Sequence, residues 1–589
     1  LKLFKKIDFT LLKKVIALSK PYKGLLWSTT IFAIILAFIS PLRPFLVQFA
    51  VDNYFVKKGV NYFTFSQIIA IILAILCVEN FLKYLFSFLS NLLGQNILFD
   101  LRNKVFQFII NLRLRYFDTN SIGTLITRTI SDVENINTIF TEGIIQIFAD
   151  LLTVVIICSW MFYVDWKLAI IALSVFPILI YGTKIFQRSV KISFQNVRNF
   201  VAKMNSFLQE QISGMAIVQV FNAEKREFDK FDNINKDHLK ANIDANFAYS
   251  IFFPFVDILA SVAIGLIIWW GAASVELQYS TVGTLIAFIM YTNMLFRPIR
   301  FIADKFNSIQ MGLVAAERVF KLFDNTNFSE KPLILEQKPI EGNIKFQNVS
   351  FSYDKENVVL EDVSFEIKKG QTVAIVGATG SGKSSIINVL MDFYPISSGN
   401  IYFDGIEYRT IDTESLRSQI AVVLQDVFLF NTSILENIRL YNTKITKADI
   451  IHCAQQIGAH EYIMQLPENY DYIVRERGST LSHGQRQLIS FVRALVCNPT
   501  VLILDEATAN IDSQTEKTIQ YAIDKLIEKR TSLVIAHRLS TIKNADLILV
   551  MHKGKIIESG TSEALLSIEN GAFKKLYEIQ FEDKRALYS

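Results

Sequence analysis

Up to about residue 325 the chain alternates long apolar runs with long charged stretches. The runs fall near 25–50, 66–90, 141–164, 168–187, 249–273 and 282–303. Each is close to the roughly 20 residues that a helix needs to cross hydrocarbon. In lipid a segment must satisfy its own backbone hydrogen bonds, so these six runs predict six membrane-spanning helices. Two long polar stretches keep a helical period, ILFDLRNKVFQFIINLRLRYF before the third run and SVKISFQNVRNFVAKMNSFLQEQ after the fourth. They predict helices that continue well past the membrane. FDTNSIG (117–123) and SGMAIVQVFNAE (213–224) interrupt that period and are expected at the tips.

From about residue 342 the pattern changes. Short β-branched runs such as GNIKFQNVSFSY and QTVAIVG alternate with helical stretches such as SSIINVLMDFY. Strands alternating with helices predict an α/β domain. The polar stretch between the halves carries two prolines and reads as a linker. The expected organisation is an all-α transmembrane domain of six helices over 1–325, a linker over 326–341 and an α/β domain over 342–589, whose motifs, taken up below, make it a P-loop ATPase domain.

Charge orients the first half. Lys2, Lys5, Lys6, Lys13, Lys14, Lys20 and Lys23 precede the first run. Arg102, Lys104, Arg113, Arg115 and Arg128 lie between runs two and three, and Lys191, Arg198, Lys203, Lys225 and Arg226 between runs four and five. The opposite loops are short, and AASVELQYS has neither Lys nor Arg. The positive-inside rule then places both termini and the second half in the cytoplasm. Composition agrees with a membrane protein: 51% of the 589 residues are hydrophobic, 48 of them Phe. The net charge of +5 implies no nucleic-acid partner. The four cysteines are isolated, which predicts neither a zinc site nor a disulfide framework. The lysine-rich opening has no small-residue cleavage site after a short apolar core, so it is not read as a secretory signal.

The candidate chemistry lies in the second half. The run Gly377, Ala378, Thr379, Gly380, Ser381, Gly382, Lys383, Ser384, Ser385 follows a predicted strand and opens a predicted helix. This is the P-loop pattern in its required setting. Its glycines let backbone N–H groups turn inward around phosphate oxygens. Lys383 is expected at the β- and γ-phosphates of ATP and the Ser384 hydroxyl on Mg²⁺. The run VLILDEAT (501–508) predicts a buried strand ending in two acids. Asp505 is expected to hold Mg²⁺ through water, and Glu506 to act as general base on the attacking water.

Between these two runs stands LSHGQ: Leu481, Ser482, His483, Gly484 and Gln485. It resembles the signature motif of ATP-binding-cassette (ABC) proteins. The other motifs of that family follow in order, and the resemblance covers nearly the whole chain. It implies that Tyr353 in SFSYD stacks on adenine and that Gln425 in VVLQD is the glutamine that senses Mg²⁺ and meets the membrane domain. It places Glu476 and Gly478 in a cross-talk loop, Asp512 at the D-loop acid and His537 against the γ-phosphate. FDTNSIGTLITRTISDV and SGMAIVQVFNAEKREFDKF look like the two coupling segments of the exporter membrane domain. The chain is therefore similar to half-size exporters of the multidrug and lipid-flippase type. In that family two halves pair, and each ATP is sandwiched between the P-loop of one and the signature of the other. The partner implied is a second half-transporter, like or unlike. His483 and Arg475 depart from the family pattern at the surface between cassettes.

Charges within membrane spans are costly and so informative. Asp150 and Asp257 look most embedded, and either a cavity for cationic amphiphiles or pairing inside the bundle, for instance with Arg43 or Lys83, would explain them. The implied function is ATP-driven export, or flipping, of amphipathic small molecules or lipids across a bacterial cytoplasmic membrane. A lipid flippase, and an ATP-gated regulator that does not pump, remain as alternatives.

Overall fold

The structure is a computed structural model and describes residues 8–55, 62–276, 280–324, 339–354, 357–505, 513–536 and 542–578. The chain divides into two compact units. One comprises Leu1–Ile110 and Asn120–Thr326, the other Asn111–Thr119 and Asn327–Ser589.

The first unit is helical, and its long helices contain the apolar runs. The first run is split at Ser40–Pro41 into the helices Lys23–Ile39 and Leu42–Ala50. A proline has no N–H to donate, so the chain bends there and restarts. The second run lies in Tyr62–Ile110 and the third in Ile144–Val164. The fourth crosses Trp166–Leu173 into Phe176–Ser213, the fifth lies in Glu224–Glu276, and the sixth opens Val282–Phe323. Among the described residues five helical stretches are both long and apolar enough to cross a membrane: Lys20–Tyr54, Ser66–Ile110, Ile122–Val164, Trp166–Ser213 and Glu224–Glu276. The interruptions fall where the period breaks. A short helix, Leu114–Thr119, precedes Ile122, and Met215–Val220 follows Gly214.

Packing in this unit follows the faces of these helices. Phe176–Ser213 lies along Glu224–Glu276, and Lys23–Ile39 lies against Tyr62–Ile110 and Ile144–Val164. Phe186 and Phe252 stack at 3.8 Å between the first of these pairs. Outward-facing side chains are large and apolar: Trp27, Phe81 and Tyr163 are exposed, and Trp269 is 73% exposed. So much apolar surface is a liability in water and is matched by lipid. Asp52 joins the first and sixth runs, its carboxylate accepting from Gly283 N at 2.8 Å and from the Thr281 hydroxyl at 2.7 Å.

The second unit carries ten strands among its described residues: β1 Ile344–Ser352, β2 Val358–Ile367, β3 Thr372–Gly377, β4 Ser398–Phe403, β5 Ile406–Glu407, β6 Ile420–Val423, β7 Val501–Asp505, β8 Thr531–Ile535, β9 Leu547–His552 and β10 Lys555–Gly560. An antiparallel sheet runs β2-β1-β4-β5, and a six-stranded sheet runs β10-β9-β3-β8-β7-β6. In the larger sheet β9, β3, β8, β7 and β6 are parallel, and only β10 is antiparallel. The middles of the parallel strands are apolar because both faces are covered, while polar residues such as Thr372, Thr531, Ser532 and Asp505 stand at their ends. Along β3, Val373 and Ile375 enter the core shared with the antiparallel sheet, where Phe346 and Phe403 lie. Ala374 and Val376 point the other way, into the core under the helices, with Leu488 and Ile519. The alternation is the period-two geometry of a strand.

Gly312 marks a close approach inside the first unit. A Cβ there would lie 2.6 Å from the Asn135 carbonyl oxygen and collide with Ile139. Gly312→Val is expected to destabilise the unit by about 1–3 kcal/mol through overpacking. Gly24→Ala meets nothing within 4 Å and should be neutral. Thermal aggregation of the two variants in detergent checks this, with a lower onset expected for Gly312→Val alone.

Candidate functional site

Parallel strands deliver their C-terminal ends to one edge, which is where ligands sit in open α/β sheets. Here that edge receives Gly377 from β3 and Asp505 from β7, while β8 lies between those strands and brings the chain to Ala536. Asp505 is level with Ile535, and Ala536 N continues the ladder to Ile375 O at 3.1 Å. Val423 of β6 is level with Leu504, so Gln425, exposed two residues later, emerges at the same edge. Segments more than 100 residues apart thus converge through strand register.

The loop after β3 needs glycine at its two ends. Gly377 has φ +156° and a side chain there would run into the Met551 carbonyl; Gly382 has φ +101° and would bring a Cβ within 3.0 Å of the Val359 carbonyl. Gly382 then caps the helix Lys383–Leu390, whose first N–H groups face the loop. Lys383 is buried, and its ammonium donates to Gly377 O at 2.8 Å and Ala378 O at 3.0 Å. Burial pushes its pKa down, and the Asp505 carboxylate opposes that shift. Ala378, Thr379 and Gly380 are exposed at the crest of the loop. The buried Ser381 hydroxyl has no hydrogen-bond partner among the described residues. A cup of backbone N–H groups, a lysine and an unsatisfied hydroxyl suits a polyphosphate.

Two further oxygens meet beside the cup. The Ser384 hydroxyl donates to Asp505 Oδ2 at 3.4 Å, although the residues are 121 apart in sequence. A hydroxyl and a carboxylate are hard oxygen donors, the kind that Mg²⁺ takes alongside phosphate oxygens. Tyr353 follows β1 and stands over the helix Lys383–Leu390, its hydroxyl 3.1 Å from Ser385 Oγ and accepting from Asn388 Nδ2 at 2.9 Å. Tyr353 is 37% exposed, which leaves part of the side chain accessible to a planar ligand.

The LSHGQ run opens a second long helix, His483–Val496. Ser482 caps it reciprocally: its Oγ accepts from Gln485 N at 3.3 Å, and Gln485 Oε1 accepts from Ser482 N at 2.8 Å. Leu481 and Gly484 are buried, and the buried Nδ1 of His483 has no hydrogen-bond partner among the described residues. This helix packs on β6 and on the helices Ile434–Arg439, Lys447–Gln456 and Ser513–Ile527. Arg477, in the predicted cross-talk loop, has φ +55°, and its carbonyl accepts from Arg486 at 3.2 Å. Glu506, Asp512 and His537 lie outside the described residues.

In the membrane unit Asp150 is ion-paired with Lys305 and accepts from Gln146 Nε2 at 3.4 Å. Its partner is thus neither Arg43 nor Lys83; Lys83 pairs at 2.5 Å with the buried Glu79. Asp257 is exposed on Glu224–Glu276. Sequence reading missed Lys305, which sits beyond the last apolar run, and the nearby pair of Arg318 with buried Asp132 at 3.4 Å. A lysine in register on a sixth-helix extension was the available signal.

A P-loop ATPase unit joined to a bundle of membrane helices defines the class. Residues 26–299 match the ABC transporter transmembrane region and residues 360–509 match the ABC transporter family. The chain is 35% identical, over 97% of its length and 99% of the relative's, to the putative multidrug export ATP-binding/permease protein YgaD of Bacillus subtilis (strain 168). It is 34% identical, over 97% of its length and 95% of the relative's, to the ATP-dependent lipid A-core flippase of Syntrophus aciditrophicus (strain SB). A solved structure of a bacterial Atm1-family ABC exporter with ATP bound superposes with a TM-score of 0.79 at 25% identity, covering 95% of this chain and 98% of that one. The chain belongs to the ABC transporter family. It is an ATP-hydrolysing transporter of the half-size exporter fold, which implies dimerisation and a transported substrate.

The cap at the head of the signature helix has a measurable weight. Ser482→Ala removes the hydroxyl acceptor and is expected to cost about 1 kcal/mol of stability. Ser482→Asp keeps an acceptor and should restore most of it; chemical denaturation followed by circular dichroism checks both.

Proposed function

We propose that this chain is one half of an ATP-driven exporter that moves amphipathic small molecules or lipids across the cytoplasmic membrane of a bacterium. The observation that carries the reading is the meeting of Ser384 and Asp505 beside the Lys383 cup, in a chain that also holds the membrane helices. The names of the relatives, multidrug export for one and lipid A-core flipping for another, support amphipathic cargo. The lysine- and arginine-rich stretches of the first half support a cytoplasmic position for both termini and the ATPase unit.

In this reading the loop Gly377–Ser385 wraps the ATP phosphates, Lys383 turns from the loop carbonyls to the β- and γ-phosphates, and Tyr353 stacks on adenine. Ser384, Asp505 and Gln425 would hold Mg²⁺, which neutralises phosphate charge when bound. Glu506 takes the proton of the attacking water and His537 orients the γ-phosphate. Leu481, Ser482, His483, Gly484 and Gln485 act on the ATP held by the partner chain, with Asp512 at the same surface. Ser482 and the N–H groups at the head of its helix are suited to an anion. The partner is a second half-transporter. Asp150, tied to Lys305, fastens two helices of the bundle, and Asp257, within the fifth apolar run, is assigned to cationic cargo from its place in the sequence.

Glu506→Gln is expected to bind ATP as the parent does and to lose turnover by roughly 10²-fold or more, the usual weight of a general base. Lys383→Ala is expected to lose ATP binding itself by about 10-fold or more, since a charge-assisted contact to phosphate disappears. Nucleotide binding and phosphate release from the full chain in lipid nanodiscs measure the two effects. Substantial hydrolysis in Glu506→Gln would remove it as the base.

A further inference from the structure

The P-loop helix is followed by Asp392, Phe393 and Tyr394, and Tyr394 is 5% exposed. Its ring meets Tyr353 edge-on, with centroids 4.9 Å apart and planes at 86°. Phe351 closes the cluster, 4.7 Å from Tyr353 and 5.8 Å from Tyr394. Three rings so packed have little freedom to move separately, because edge-to-face contacts and interior packing are both specific in geometry. One side of the cluster is anchored to the P-loop helix through the Tyr353 hydroxyl, which is bonded to Ser385 and Asn388. The other side reaches a different stretch of chain. The Tyr394 hydroxyl donates to the Asp118 carboxylate, in the segment Asn111–Thr119 that the ATPase unit includes. That segment is continuous in sequence with the helix Tyr62–Ile110 before it and with Ile122 after it. A second tether runs alongside: Arg113 is close enough to Asp392 to stabilise its carboxylate, and Arg417 holds the Met391 and Asp392 carbonyls at 3.0 Å and 3.1 Å.

We propose that Tyr394 is a positioning residue that passes nucleotide occupancy at the Tyr353 ring to Asp118, and so to the segment Asn111–Thr119, by a route separate from Gln425. The proposal rests on the reading of Tyr353 as the adenine platform. A base stacked on Tyr353 fixes the angle of that ring. The edge of Tyr394 must follow, and its hydroxyl carries the adjustment to Asp118. Tyr394 touches neither nucleotide nor cargo in this scheme; it acts through its two neighbours.

The test uses the full chain in lipid nanodiscs, with Cys77, Cys158, Cys453 and Cys497 replaced by serine and a spin label at exposed Gln195 of each chain. Distances between labels are measured with and without a non-hydrolysable ATP analogue, beside ATP affinity and hydrolysis. Tyr394→Phe keeps the ring and loses only the hydroxyl; Asp118→Ala loses the acceptor. Both are expected to keep ATP affinity within about twofold, retain hydrolysis and lose at least half of the nucleotide-driven distance change. The double variant is expected to be no worse than either single one, as for two partners in one interaction. A full distance change in both single variants, or losses that add in the double, would overturn the proposal. So would a fall in ATP affinity as large as that of Tyr353→Ala, which would place Tyr394 in the base site itself. Tyr353→Ala separates the two levels: weakened ATP binding supports the adenine platform independently of Tyr394, and unchanged binding removes the platform and the proposal together.

Discussion

Four strands, β3, β8, β7 and β6, run parallel and end together, and the candidate site depends on that alignment more than on any single residue. A parallel ladder offers no freedom of register once both faces are buried, because a slip of one residue would turn every apolar side chain to the wrong core. The pairings Ile375 with Ile535, Asp505 with Ile535 and Val423 with Leu504 are therefore held by the two hydrophobic cores on either side. Ser384 meets Asp505 because these cores exist. Two polar residues of the edge follow buried positions of their strands, Asp505 after Leu504 and Gln425 two residues after Val423.

The membrane unit works under the opposite rule. Its solvent is hydrocarbon, so burial of apolar side chains gives little drive, and packing and polar pairs decide which helices touch. Close glycine contacts such as Gly271 against Leu285 and polar pairs such as Gln48 with Thr284 serve that purpose. Such pairs hold helices in a chosen relation, which a transporter must keep in one state and revise in another. The cytoplasmic extensions carry the remaining charges, and the stretch around Asp118 is where the helical half of the sequence enters the ATPase unit.

Much of this is legible in the amino-acid sequence, and for physical reasons. Membrane runs announce themselves through length and apolarity, both local properties. The P-loop and the Asp505 strand are also local: each is a strand, a turn and a charge at fixed spacing. The breaks at 117–123 and 213–224 show as a lost helical period. Non-local pairings do not show. Nothing in VIAH or VLILDE says that β8 lies between β3 and β7. Lys305 as the partner of Asp150 depends on register between helices 155 residues apart. Tyr394, in MDFYP, reads as an ordinary core aromatic, and only the arrival of Asp118 distinguishes it.

The central claim is that one chain holds only half of each ATP site, with the Lys383 cup in one chain and the Ser482 helix in its partner. Hydrolysis by the purified chain in nanodiscs sorted to contain one copy or two tests this most directly. The account predicts phosphate release from two-copy discs and almost none, per chain, from one-copy discs at saturating ATP. Equal release per chain from discs holding a single copy would contradict it.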